Sequence, residues 1–275
     1  MYGMRPRNIE YLDFDFNSKK WFFIIDHATA LIAWKKAFNE EIIRRNTILF
    51  HLDEHTDFYF NKTNINKSKR ILEMGDSELN DFVMKDLFIH NDEFIVNAMC
   101  SGLIKDGISF YFNDGYEYGE LVEDTLFTPK KRRFVCDGIE HNFYLFKEKD
   151  ISLIDNISSY RELEELFGCS RDFILDIDLD FFTHINETGL IDKTVSRTSE
   201  DISRQINSDL FKKMFEMSKV ITVALEPANC GGNEQCEKIL YSLMGDKFFE
   251  PKNLNLIDNV NKFLHDVNFE DIHFD

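Results

Sequence analysis

The chain has little of what punctuates or cross-links a protein. Only four prolines and twelve glycines occur in 275 residues, and no Pro/Gly/Ser-rich stretch or internal repeat divides them, so nothing marks a linker between domains. Five cysteines, an odd number without regular spacing, exclude a disulfide framework and point to a reducing compartment. Cys230 and Cys236 match no standard zinc spacing and read as packing or incidental thiols. No run reaches the roughly 18 consecutive apolar residues of a membrane span, and the N-terminus Met1-Tyr2-Gly3-Met4-Arg5 lacks the apolar stretch of a signal segment; a cytoplasmic location is the expectation. Basic side chains are also scarce, 32 against 50 acidic, for a net charge of −18. Long-range repulsion then disfavours nucleic acid and anionic membranes and favours a basic partner, although most of the acid excess reads as a solvated surface.

What is abundant is core. Hydrophobic residues make up 43% of the chain and aromatics 14%, with 28 phenylalanines, enough for one large domain over residues 1–275. Apolar runs at 22–25, 48–52, 107–112, 173–179 and 219–225 predict strands. Between the first two, Leu31, Trp34, Phe38 and Ile42 recur at helical spacing. Phe94, Ala98 and Leu103 predict a second helix, and Ile202 to Met217 a longer one. Strands alternating with helices predict an α/β fold with a mainly parallel sheet. Loop or hairpin excursions are expected near 61–85 and 113–160. The second holds a hairpin, Arg133–Cys136 and Asn142–Phe146 around Asp137-Gly138, covering one flank, and a basic run, Lys130 to Arg133, read as a solvated turn. The tail from Asn253 to Asp275 reads as a helix on the core or a self-association segment.

Chemistry-bearing residues gather at strand ends, the usual place for a site in an open α/β sheet. Asp53-Glu54-His55-Thr56-Asp57 follows Ile48–Leu52, and in extended chain Asp53, His55 and Asp57 share a face. Asp176, Asp178 and Asp180 alternate in the same way after Phe173–Leu175, and Asp26-His27 follows Trp21–Ile25. Crowded carboxylates resist joint ionisation unless a cation offsets them. Imidazole and carboxylate without thiolate suit manganese, iron or magnesium. The ligands exceed one ion's needs and suit two, roughly 3.5–4 Å apart.

These segments resemble the arginase/ureohydrolase superfamily, whose marks are an Asp-x-His-x-Asp strand end and a later Asp-x-Asp strand end. Ile25-Asp26-His27, His51 to Asp57 and Leu175 to Phe182 look most like its peptide arginase branch, which converts arginine residues of a precursor peptide to ornithine. The resemblance implies a three-layer α/β/α fold and two Mn2+ ions, with His27 on one, His55 on the other, Asp53 bridging and Asp57 on the first. The two-aspartate motif can be laid on Asp176/Asp178 or Asp178/Asp180; the second is preferred, leaving Asp176 to hydrogen-bond the ligands. Glu226, closing Thr222–Leu225, resembles the carboxylate that holds a guanidinium, against the plainer reading of a loop cap. No Asp-Pro pair follows the second motif, and no serine- and asparagine-rich segment is recognisable, which disfavours free arginine and favours an arginine-containing precursor peptide.

His90 is the candidate proton donor to the leaving amine, against a helix-entry histidine, with His184 competing for the role. His51 reads as a buried hydrogen-bonding partner, and Asp57 as the residue that accepts a proton from, or orients, the nucleophile. Two other readings stay open: amide hydrolysis or deacetylation on the same fold, and a metal-stabilised binding protein for basic peptides. The sequence leaves the oligomeric state open.

Overall fold

The computed structural model describes residues 2–6, 11–59, 64–87, 92–111, 119–125, 128–146, 165, 168–169, 171–185, 194–196, 199–245, 254–267 and 269–273. Its framework is a nine-stranded sheet in the order β2-β3-β12-β9-β4-β5-β8-β7-β6. In chain order these are β2 (Tyr11–Phe16), β3 (Lys19–Ile24), β4 (Thr47–Leu52), β5 (Ile104–Phe110), β6 (Glu120–Thr125), β7 (Thr128–Cys136), β8 (Ile139–Phe146), β9 (Phe173–Asp178) and β12 (Ser218–Ala224). The six central strands, from β3 to β8, pair in parallel. Antiparallel β2 closes one edge and β7 with β6 the other. Two small antiparallel pairs lie apart from this sheet: β1 (Tyr2–Pro6) with β13 (Phe269–His273), and β10 (Thr183–Ile185) with β11 (Thr194–Ser196).

Helices cover both faces, which is why the central strands are near-continuous apolar runs; all six residues of β4 are buried. One face carries Phe22, Ile24, Leu49 and Ile174, packed against α1 (Ala30–Asn39), α3 (Asp76–Phe82) and α4 (Phe94–Cys100). The opposite face carries Trp21, Phe23, Phe50 and Leu175, packed against α5 (Ser199–Ile206), α6 (Asp209–Met217), α8 (Asn233–Gly245) and α9 (Leu254–Asp266). The result is a three-layer α/β/α architecture. The tail helix α9 buries Leu256, Ile257, Val260 and Leu264 in this second layer, so its apolar face belongs to the core.

Four expectations change in detail. The single helix over 202–217 is two, because Ser208 leaves the helical conformation and its hydroxyl caps α6 by accepting from Phe211 N at 3.2 Å. The hairpin around Asp137-Gly138, both at positive φ, extends the main sheet, since β8 pairs with β5. The basic run lies within β7 instead of a turn; there Arg133 pairs with Glu120 at 3.0 Å and Lys131 sits over the Tyr144 ring. The first expected excursion, near 61–85, is helical where it is described instead of a loop or hairpin, and α3 buries Leu79 and Phe82 in the core; residues 61–63 of it, and 113–118, 126–127 and 147–160 of the second, lie outside the described residues.

The chain path fixes where a site can form. From β4 it proceeds to β5 and β8 on one side, then returns through β9 to β12 on the other. Neighbouring β4 and β9 therefore flank the point where the winding reverses, and a crevice opens beyond their carboxyl ends.

The far half of the sheet is set by close packing. A methyl group on Gly107 of β5 would run into the Phe143 ring, which stacks on Phe58 at 4.2 Å. Gly107→Ala is expected to destabilise the fold by about 1–3 kcal/mol, seen as a lower urea midpoint at unchanged slope. An unchanged midpoint would mean that this packing yields freely.

Candidate metal centre

Each strand approaching the crevice delivers its functional group through a turn. Asp26 Oδ1 accepts from Ala28 N at 3.0 Å after β3, Asp53 Oδ1 from His55 N at 2.6 Å after β4, and Asp178 Oδ1 from Asp180 N at 3.0 Å after β9. An aspartate that binds the amide two residues on bends the chain out of the strand. The alternation that would put Asp53, His55 and Asp57 on one face thus stops at β4, and the groups converge by turning instead. Asp57 (φ 45°) and Glu226 (φ 34°) take the left-handed conformation, costly for residues with a side chain and held here by their surroundings.

The convergence is tight. His27 Nδ1 lies 3.1 Å from Asp53 Oδ2, from Asp57 Oδ2 and from Asp178 Oδ2. Ligands about 2.1 Å from one ion at neighbouring octahedral positions lie about 3 Å apart, so these atoms, which hydrogen-bond in the absence of an ion, are close enough to share one. Next to it, His55 Nδ1 lies 3.5 Å from Asp53 Oδ1 and 3.6 Å from Asp180 Oδ2. Potential ligand atoms within 4.8 Å of one another form three groups: His27, His51 and Asp53; His27, Asp178 and Glu226; and Asp53, His55 and Asp180. Asp53 belongs to two of them, as a bridging carboxylate would. All these residues are buried except His55, which is about half exposed at the mouth.

Asp176 sits one layer deeper. Its Oδ2 accepts from His27 Nε2 at 2.8 Å and His51 Nδ1 at 2.9 Å, and its Oδ1 accepts from Thr222 Oγ1, which itself accepts from Trp34 Nε1 at 3.3 Å. The Phe94 ring lies 4.6 Å from that of His27, closing the floor with apolar surface. Glu226 Oε1 accepts from His27 N at 2.9 Å, and Oε2 accepts from the Asn229 side chain. The structure thus brings together His27, Asp53, His55, Asp57, Asp176, Asp178, Asp180 and Glu226, while His90 lies outside the described residues. Thr222 and Asn229 join the centre without a motif to announce them, and His51 is the buried hydrogen-bonding partner expected of it. The available signal is register: Thr222, Asp176 and His51 are paired across three adjacent strands.

Electrostatics show what the chain alone must bear. Burial, with Asp180, Glu226 and Asp53 nearby, pushes the Asp178 carboxyl well above the usual range. Burial and the Asp53 charge raise Asp57 to about 7, and burial and Asp26 raise Glu226 to about 8. Burial also acts to lower His27, but the Asp176 charge and the hydrogen bonds His27 donates to Asp176, Asp178 and Asp53 hold it well above the usual imidazole range. Asp53 is pushed well below, its burial outweighed by hydrogen bonds from His27 and His55. Protons on His27 and on several carboxyls therefore do what a cation would do. Asp180 Oδ2 and His51 Nε2 remain buried without a hydrogen-bond partner, and the oxygen and imidazole donors suit a hard or borderline divalent ion. The residues present fit a two-ion centre with His27, Asp53, Asp57 and Asp178 on one side and Asp53, His55 and Asp180 on the other.

A buried acid whose folded pKa is raised contributes stability below its unfolded value, near about 4, and loses it as pH climbs through the folded value. Raised histidines lose theirs above about 6.5, while the contribution of the lowered Asp53 is complete across that range. Metal-free protein is therefore expected to melt at progressively lower temperature from about pH 5 to about pH 8. The gain from added Mn2+ should grow over the same window as the ion displaces protons. At about 100 times its dissociation constant it should add about 2.7 kcal/mol per site. Asp178→Asn is expected to leave metal-free stability equal or higher while shrinking that gain. Differential scanning calorimetry with and without chelator measures both; a melting temperature indifferent to Mn2+ at every pH would exclude a built cation site.

No protein-family model and no curated protein matches the chain. Among solved structures it is similar to a crystal structure of a hypothetical agmatinase from Burkholderia thailandensis, at 12% sequence identity and a TM-score of 0.43. The match covers 88% of this chain and 59% of that one.

Proposed function

We propose that the chain is a two-metal hydrolase of guanidinium groups, acting on arginine residues of a precursor peptide to leave ornithine and release urea. The observation that carries this reading is the position of Glu226: a buried carboxylate, fixed by His27 N and Asn229, beside a ligand set sufficient for two divalent ions.

Divalent cations, when bound, supply positive charge and a water acidic enough to attack at neutral pH. His27, Asp53, Asp57 and Asp178 would hold the first and Asp53, His55 and Asp180 the second, manganese being the expected ion. Asp57 orients the attacking water or takes its proton. Glu226 accepts hydrogen bonds from the planar guanidinium through its remaining lone pairs and aims the central carbon at the metal centre. The two hydrogen bonds it already receives fix its direction before substrate arrives, which lowers the cost of ordering it. His90 is the proposed source of the proton for the leaving amine. The peptide, in preference to free arginine, is favoured by the net charge of −18, which draws in a basic chain.

Mass spectrometry of arginine peptides and free arginine incubated with Mn2+-loaded protein tests the reading. The expected result is the mass difference between arginine and ornithine, with urea in equal amount, lost in Asp53→Ala. Glu226→Gln should keep its bound metal and lower kcat/KM by about 10- to 100-fold, the worth of a charge-assisted hydrogen bond. Removal of an acyl group from acylated peptides, with arginine untouched, would replace this reading with amide hydrolysis on the same centre.

A further inference from the structure

We infer that His51 is a third imidazole ligand of the metal centre, joining His27 and Asp53 on the first ion. The inference rests on the two-metal reading above and adds a residue that the resemblance to ureohydrolases does not include in its ligand set.

His51 is completely buried on β4, one layer below the strand end. Its Nδ1 is committed to Asp176 Oδ2 at 2.9 Å. The same oxygen takes His27 Nε2 at 2.8 Å, and the other oxygen of Asp176 takes the Thr222 hydroxyl. A carboxylate receiving three donors acts as an acceptor only, so both imidazoles turn an N–H toward Asp176. That directs the opposite nitrogens, His27 Nδ1 and His51 Nε2, into the crevice, where loading the centre exchanges the proton that His27 carries in the metal-free protein for the ion. His27 Nδ1 lies in the ring of carboxylates. His51 Nε2 is 3.5 Å from Asp53 Oδ2, is buried, and has no hydrogen-bond partner. A buried imidazole nitrogen left without a partner loses its solvation, and a cation is the partner that this setting supplies. His27, His51 and Asp53 present ligand atoms within 4.8 Å of one another. The two rings are held in place together, 5.3 Å apart, with Phe94 against both. One aspartate thus orients two imidazoles toward one ion.

The test uses Mn2+ alone and no substrate, so its failure is separate from failure of the guanidinium chemistry. Full-length protein stripped with chelator is titrated with Mn2+ and studied by electron spin-echo envelope modulation, with and without 15N-histidine. Wild type is expected to show nitrogen coupling from three histidines over its bound ions; coupling from two alone overturns the inference and needs no variant. His51→Asn keeps an amide donor near the position of Nδ1, toward Asp176, and removes the Nε2 position. It is expected to lose one coupled nitrogen and to weaken one binding step by at least about tenfold. Thr222→Ala, which removes another donor to Asp176, should retain the full nitrogen count. Wild-type couplings and affinities in His51→Asn, or an equal loss of nitrogen coupling in Thr222→Ala, would assign His51 a structural role only.

Discussion

Like charges gathered at the edge of a buried sheet are the constraint on which the rest of this structure depends. Asp53, Asp57, Asp178, Asp180 and Glu226 are all buried within one crevice. Carboxylates so placed repel, and without a counter-charge several must stay protonated, as the raised Asp57, Asp178 and Glu226 carboxyls do. Only a stiff frame can hold such an arrangement. The parallel strands β3, β12, β9 and β4 provide it, covered on both faces by helices and spaced at about 4.8 Å. That spacing brings groups from four different strand ends within reach of common ions.

The frame alone does not aim the side chains. The same local device does so three times: Asp26, Asp53 and Asp178 each turn the chain by binding the amide two residues on. At Asp53 and Asp178 the aspartate uses one oxygen for the turn and leaves the other for the centre, so building the loop and supplying a ligand are one act. Asp57 and Glu226 complete the shell from left-handed backbone. Such positions persist where tertiary contacts over-determine them, and Glu226 is tied to both Ile25 and His27 across the crevice.

Beneath the ligands runs a row of paired residues, Thr222, Asp176, His51 and Ser109, on adjacent strands. Its polar groups are enclosed by Trp34 and Phe94, which exclude bulk water from the floor. In low dielectric the hydrogen bonds around Asp176 are strong and directional. Asp176 is ionised, with its carboxyl at about 2, since the His27 charge and the hydrogen bonds from His27 and His51 outweigh its burial. The orientation of both imidazoles follows from that single buried charge.

The sequence by itself determined the elements and their chemistry. Uninterrupted apolar runs marked the core strands, and Asp26-His27, Asp53-x-His55-x-Asp57 and the Asp176–Asp180 run stood at their ends, because an apolar strand cannot carry acids past the edge of the core. Strand alternation did not determine which acid faces the crevice; only the resemblance favoured Asp178 and Asp180, with Asp176 behind them, which is how they lie. Asp176, Asp178 and Asp180 look equivalent by alternation, yet Asp176 is paired with His51 inside the sheet while Asp180 lies on the turn beyond it. The sequence did not join the hairpin at Asp137-Gly138 to the main sheet either, because strand neighbours distant in the chain leave no local trace. Nor did it reveal that Thr222 and His51 share Asp176, since pairing register is set by the packing of whole strands against two helical layers. Strand ends are written in local sequence, whereas the tertiary fold alone decides which of their residues meet.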